Sequence, residues 1–276
     1  MTRSIFLALL IIALSSACGA EPTPYPVYLP TTPTDAPIPT DAPPVRYALA
    51  ANTLGTIAES DYNTIVASGA VEQLTETVNL DDLGARYDIV ATYGDWAGWT
   101  RSPVTPQVML VINPTGESLT PQLANTIRQA IDASAIVTTL NIPGIIVTGA
   151  NAAAPPSVIR TNLANLGRPD GLQLTLGYAY TPGVSPMVTQ LAAVNIETQT
   201  LALSNDDIRA AFAEGRIQLA LVTWTTPEQQ QQWLGLFGAE NTLDLYSLPI
   251  SYCALPDLTI TFTSGGWPIA GYTLTN

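Results

Sequence analysis

The segment Tyr93-Gly94-Asp95-Trp96-Ala97-Gly98-Trp99-Thr100-Arg101 gathers more groups able to hold a ligand than any other stretch of this 276-residue chain. Tyr93, Trp96 and Trp99 offer stacking surface, and Asp95 and Arg101 offer one polar anchor of each sign. The segment follows an apolar run over 87–92, at the carboxyl end of a predicted strand, where open α/β folds bind their ligands. The alternative makes one tryptophan core and the rest a surface loop. Asp95 with Asp132 is the one carboxylate pair that we weigh for a glycosidase-like hydrolase.

What the chain lacks narrows the chemistry. It contains no histidine and no lysine, and its nine bases are all arginine. Ser-His, Cys-His and Ser-Lys nucleophile pairs, Schiff bases and the phosphate loop with its lysine are therefore excluded. Histidine-ligated metals are excluded too, and two cysteines make no structural zinc site. No metal or other cofactor is expected, and the chain is read as a binding protein, not an enzyme. Its formal net charge of −13 repels phosphate backbones, so nucleic acid is not an expected partner. That charge leans toward a neutral or cationic ligand, while Arg101 would permit a carboxylate.

The elements that must position these residues are short apolar strands alternating with capped helices. Strands are predicted over 47–51, 87–92 and 108–113, and a helix follows Thr120 as N-cap with Pro121 in its first turn. Downstream, Ser157 caps a helix that Gly167 ends, 172–178 is a strand, and Ser185-Pro186 opens a helix. A strand over 197–203 precedes a helix that starts at Ser204 with Asp207 three residues on, and 217–224 is a buried strand. The order β-α-β-α-β calls for an α/β fold with a mainly parallel sheet and right-handed crossovers. Thr226-Pro227 begins one more helix, bearing Trp233.

The amino-terminal residues are read as an export and anchoring signal. Arg3 precedes the apolar stretch 5–14, too short to span a bilayer, and Ser15-Ser16-Ala17-Cys18 follows. This resembles the lipobox of bacterial lipoproteins, with residues 1–17 a signal peptide and Cys18 the lipidated residue; the alternative is plain secretion. Residues 18–45 are then a tether, whose nine prolines between Pro22 and Pro44 favour extended polyproline II. The expected location is extracytoplasmic, anchored to the cell membrane by lipid on Cys18. Cys253, left alone, is expected to be a buried small hydrophobe.

Five further stretches, in order, resemble the solute-binding proteins of bacterial ABC importers, specifically the peptide- and nickel-binding group called family 5. They are Val111-Ile112-Asn113-Pro114, the run Ala130-Ile131-Asp132-Ala133-Ser134-Ala135-Ile136-Val137, Leu166-Gly167-Arg168-Pro169-Asp170-Gly171, Ala213-Glu214-Gly215-Arg216 with the strand to Trp224, and Gly265-Gly266-Trp267-Pro268. The resemblance implies a two-lobed α/β fold of the type II periplasmic-binding-protein kind. Lobe 1 would be 46–112 plus 246–276, in abbreviated form, and lobe 2 would be 113–245, with crossings near Asn113 and near 248–252. It implies a ligand cleft between the lobes and a membrane permease as partner. It adds Asn113, at a crossing, and Trp224, at a strand end, to the candidate binding residues Tyr93, Asp95, Trp96, Trp99 and Arg101; each of the two also has a purely structural reading, and Trp267 is expected to pack in the first lobe. It also accounts for Asp132 as part of a helix signature. Two positions depart from the family: Gln218 stands where an acid is common, and Thr225, Thr226 and Pro227 follow Trp224 where peptide-binding members carry an aspartate for the peptide amino group. The leading reading is a tethered lipoprotein that captures a small molecule or short peptide for an ABC importer. A binding-fold lipoprotein serving as sensor or adaptor, and a carboxylate-dependent secreted hydrolase, are the alternatives.

Overall fold

The computed structural model describes residues 44–50, 57–73, 82–114, 119–149, 152–179 and 181–272. The signal segment, Cys18 and most of the tether lie outside the described residues. The fold is α/β, built on two mixed sheets and a hairpin.

The first sheet has five strands. Val45–Leu49 (β1) runs parallel to Gly69–Gln73 (β2) on one side and to Ile89–Tyr93 (β3) on the other. The helix Glu59–Ser68 (α1) makes the crossover from β1 to β2. Ile250–Ala254 (β11) lies antiparallel to β3, and the two-residue Thr100–Arg101 (β4) closes that edge. Leu258–Phe262 (β12) and Pro268–Tyr272 (β13) form the antiparallel hairpin.

The second sheet has six strands, whose order across the sheet, named by first residue, is Ile146, Thr242, Gln107, Leu219, Leu172 and Ile196. Leu172–Tyr178 (β7), Ile196–Ala202 (β8) and Leu219–Trp224 (β9) are mutually parallel, joined through the helices Val184–Ala192 (α5) and Asn205–Ala213 (α6). The β-α-β-α-β reading of this stretch holds. The expectation of mainly parallel sheets does not extend to the rest, because Gln107–Ile112 (β5) and Thr242–Ser247 (β10) lie antiparallel to their neighbours. The short Ile146–Val147 (β6) pairs antiparallel with β10 at the edge. The reason is the route of the chain. It enters this sheet by β5, heading away from the first sheet, and returns by β10, joined to β11 through only Leu248 and Pro249. A strand that leaves the first sheet and one that returns to it run in opposite directions, so β5 and β10 pair antiparallel.

The passages fall between Arg101 and Gln107 and between Ser247 and Ile250. The boundary expected at Ile112 and Asn113 is therefore displaced: β5 belongs wholly to the six-stranded sheet, and Asn113 sits at its far end. An apolar strand looks the same whether a passage precedes or follows it.

Local signals set the helix ends. Thr120 Oγ1 accepts from Leu123 N at 3.3 Å at the start of Pro121–Gln129 (α2), and Ser204 Oγ accepts from Asp207 N at 3.1 Å at the start of α6. Thr226 and Gln229 form a reciprocal capping box at the start of Pro227–Phe237 (α7). The expected Ser157 cap is not used. Pro156–Asn165 (α4) begins two residues earlier than a Ser157 cap would place it, because Pro156, with φ already near the helical value and no N–H to orphan, fits the first helical position. Gly167 takes the left-handed φ of +78° that lets Arg168 N reach back to Leu163 O at 2.9 Å.

The largest apolar cluster runs through both sheets, from Tyr47, Ile89 and Tyr93 to Leu110, Leu176 and Leu221. A second lies under α6 and α7, around Met109, Val222, Phe212 and Trp233. A third backs the five-stranded sheet at Ala48, Tyr87 and Val90. Among the described residues no helix is long and apolar enough to cross a membrane.

Candidate functional site

The carboxyl end of β3 comes to the passage between the sheets, and backbone geometry there holds the loop that follows. Gly94 has φ +117°, and a Cβ on it would lie 2.5 Å from Trp96 Nε1. Glycine thus permits the Trp96 indole to fold back and donate to Tyr93 O at 2.9 Å. Gly94 N donates to Pro249 O at 2.8 Å, and the buried Ser251 Oγ donates to Gly94 O at 2.6 Å. Asp95 N donates to Pro143 O at 2.8 Å, in the turn between Ala133–Leu140 (α3) and β6. Gly144 in that turn has φ +74°, and a Cβ there would lie 2.4 Å from Asp95 Cβ. The loop after β3 and the turn before β6 are therefore pressed together, each requiring a glycine.

The side chains on this loop go different ways. Trp96 is 40% exposed despite its hydrogen bond. Arg101 Nη1 lies 3.5 Å from Asp95 Oδ2, with both side chains nearly half exposed, so the pair is a solvent-screened one of small energetic weight. Ile146, at the start of β6, is exposed. Tyr93 turns inward, buried, with its ring edge-on to Trp267 at 4.9 Å. Trp99 packs against the cluster at Ala48, Tyr87 and Val90, on the opposite face of the sheet from Tyr93. Of the five candidates in this segment, the structure leaves Asp95, Trp96 and Arg101 on the surface and takes Tyr93 and Trp99 into packing on opposite faces.

Asn113 and Trp224 do not join them. Asn113 is buried, its N donating to Gln218 O at 2.9 Å and its Nδ2 to Phe212 O at 3.4 Å. It follows the Ile112 end of β5, whereas Trp224 pairs across from Gln107 at the other end. At about 3.4 Å per residue the two are roughly 20 Å apart. Trp224 stands at the right end of the sheet, but its ring packs with the cluster under α6 and α7, and its Nε1 is buried without a hydrogen-bond partner. Gln218, at the position where the family often has an acid, bridges strands: its Oε1 accepts from Thr175 N at 2.9 Å and its Nε2 donates to Gly215 O at 3.2 Å.

The hydrolase alternative loses its second carboxylate. Asp132 is the N-cap of α3, its Oδ1 accepting from Ala135 N at 3.0 Å. Among the described residues no group of three or more acidic or cysteine side chains could hold a metal ion.

Behind Tyr93 lies a support of which sequence reasoning foresaw only the packing of Trp267. Trp267 is buried, and its N donates to Thr263 Oγ1 at 3.1 Å. Ser102 Oγ donates to Gly266 O at 2.7 Å. The buried Asp61 of α1 accepts from Gly265 N at 3.3 Å and from Ser264 Oγ at 3.4 Å through Oδ1. Burial pushes the Asp61 carboxyl above its usual range, against the lowering pull of Thr263, Gly265 and Ser264. Only the Gly-Gly-Trp turn signalled a tight contact, and nothing local named Asp61 as its partner. The turn before β6 was missed for the same reason.

No protein-family model and no curated protein matches the chain. Solved structures do. One is a substrate-binding protein from Microbacterium hydrocarbonoxydans, complexed with 4-hydroxybenzoate hydrazide, at 13% identity and TM-score 0.49, with 70% of this chain and 56% of that one covered. A second is a dipeptide-binding protein from Pseudoalteromonas sp. SM9913 in complex with Met-Leu, at 11% identity and TM-score 0.49, covering 79% and 57%. A third is OppA of Haemophilus influenzae in complex with the peptide RPPGFSPFR, at 9% identity and TM-score 0.48, covering 73% and 56%. The chain spans a little over half the length of each.

Proposed function

We propose that this chain is an extracytoplasmic solute-binding lipoprotein, tethered through Cys18, that captures a small molecule or short peptide for an ABC importer. The observation that supports it most is the meeting of strand ends at the passage between the sheets. There the carboxyl end of β3 presents an exposed indole at Trp96, beside one acid and one base, against the turn that leads to the exposed Ile146. Such a surface combines contact area with few polar anchors, as ligand sites in α/β folds do. In this reading Trp96, Asp95 and Arg101 contact the solute, while Tyr93 and Trp267 hold the loop from behind. The two sheets are the cores of the two lobes. Calorimetry with a ligand recovered from the purified protein tests it: Trp96→Ala should weaken binding by about 1–3 kcal/mol, and unchanged affinity in Trp96→Ala and in Arg101→Ala rejects this site.

Two observations favour the second reading, a binding fold that serves as sensor or adaptor without transport. The polar groups of the site already bond to one another, Trp96 to Tyr93 O and Asp95 to Arg101. The main apolar cluster is continuous through both sheets, which opposes a wide opening between them. Small-angle scattering with and without the recovered ligand separates the two: compaction on binding supports capture with closure, and an unchanged profile supports a rigid adaptor.

A further inference from the structure

The outer edge of β8 is the longest open strand edge among the described residues. β8 is the last strand of the six-stranded sheet, in unbroken register with β7 over all seven residues from Ile196 to Ala202. Among the described residues no strand pairs with its other side. Glu197 and 199–202 are exposed. The opposite edge strand of the same sheet, β6, has two residues, as does the edge strand β4. Proteins ordinarily blunt such edges with short strands, charged side chains (lysine above all), proline or a bulge. Of these β8 (IETQTLA) has only the charge of Glu197, at its amino end, and the chain has no lysine at all. Its threonines and isoleucine favour the extended state.

Charge decides between occupants. Glu197 marks the amino end of the edge, and Asp206 and Asp207 follow its carboxyl end. Arg209 is paired with Asp206 at 3.2 Å, whereas Glu197 and Asp207 take part in no salt bridge among the described residues. A second copy added antiparallel would bring Asp206 and Asp207 of one chain toward Glu197 of the other, between chains of formal net charge −13. We propose that the β8 edge is a docking site for an extended, basic polypeptide segment of a partner protein, added as a seventh strand. Backbone hydrogen bonds would supply affinity, and lysine or arginine of the partner would meet Glu197 and the α6 acids.

Amide NMR of the 15N-labelled full chain, titrated with a capped heptapeptide of alternating lysine and valine, tests this. The expected result is saturable shifts centred on residues 196–202. Binding should fall roughly tenfold or more when the peptide amides along one edge are N-methylated, since several backbone hydrogen bonds are lost and each is worth roughly a factor of five. Methylation along the other edge should leave it intact. A glutamate-valine peptide should bind more weakly, and Glu197→Lys should weaken the lysine peptide several-fold without disturbing the fold. Absence of saturable shifts in β8, indifference to the methylation edge, or equal binding of the acidic peptide would overturn the proposal. So would a concentration-dependent dimer whose amide protection maps to β8, which would assign the edge to a second copy.

Discussion

Trp96 and Trp224 each stand at or just beyond the carboxyl end of a strand, β3 and β9, and they meet opposite environments. Trp96 follows a glycine with positive φ, so its ring bends back over the strand end, satisfies its N–H on Tyr93 O and keeps an exposed face. Trp224 ends a strand that is covered by α6 and α7, so its ring is drawn into their apolar cluster and its N–H is left without a partner. Residue type is the same, while Trp224 is the last residue of β9 and Trp96 lies three residues beyond the end of β3. The difference is made by the loop that follows one strand and the helices that cover the other, and the first arrangement leaves the larger aromatic surface for a ligand.

The two environments differ most in their weight on stability. Trp267→Ala, which empties the packing behind Tyr93, should cost about 3–5 kcal/mol in denaturant unfolding, as large-to-small changes of a buried aromatic do. Trp96→Ala should cost only about 1 kcal/mol, the worth of its hydrogen bond to Tyr93 O. A loss in Trp96→Ala approaching that of Trp267→Ala would mean that the β3 loop is core. At the β9 end, Trp224→Ala should cost about 2–4 kcal/mol, whereas Trp224→Phe should stay within about 1 kcal/mol, since it removes an N–H that has no partner to lose. A double-mutant cycle between Tyr93 and Trp267, read by the same unfolding curves, should give a coupling of about 0.5–1.5 kcal/mol from their edge-on contact.

The two ends also differed in how far the sequence foretold them. The stretch from 172 to 224 was legible because each element there is a local unit: alternating Leu172, Leu174 and Leu176, the Ser204 cap, and the glycine stop at Gly215. Their order alone demands parallel pairing. The five-stranded sheet depends on contacts made far along the chain, such as Ser251 with Gly94 and Asp61 with Gly265, which no periodicity announces. For the site, the dense aromatic segment was visible, but the distribution of its side chains was not. Whether Trp99 joins Trp96 or crosses to the other face is decided by Gly98, with φ +83°, and by a cluster at Ala48 and Val90 that sits far off in sequence. Asn113 was misplaced for a related reason: β5 reads as a buried strand from either direction, and only its pairing with β9 says which end faces the passage.

A smaller effect separates two buried carboxylates in the first half of the chain. Burial holds Asp61 above the ordinary carboxylate range, so its contribution to stability is fully present below the unfolded value and is lost as pH rises through the folded one. Burial also pushes Asp88 up, but hydrogen bonds from the Arg46 side chain and backbone outweigh it and hold Asp88 below that range. Its contribution is present above the unfolded value and is lost as pH falls through the folded one. Urea midpoints followed from acid to neutral pH should therefore show Asp61→Asn removing a decline on the rising side, and Asp88→Asn removing a decline on the acid side. Identical pH profiles for the two variants would mean that the environments of Asp61 and Asp88 do not differ as described.

Native mass spectrometry of the purified wild type, Trp96→Ala and Trp224→Phe tests the central claim most directly. The account predicts a co-purified small molecule or short peptide on the wild type, retained in Trp224→Phe and lost or strongly reduced in Trp96→Ala. Retention of that adduct in Trp96→Ala together with its loss in Trp224→Phe would contradict it and move the site to the β9 end.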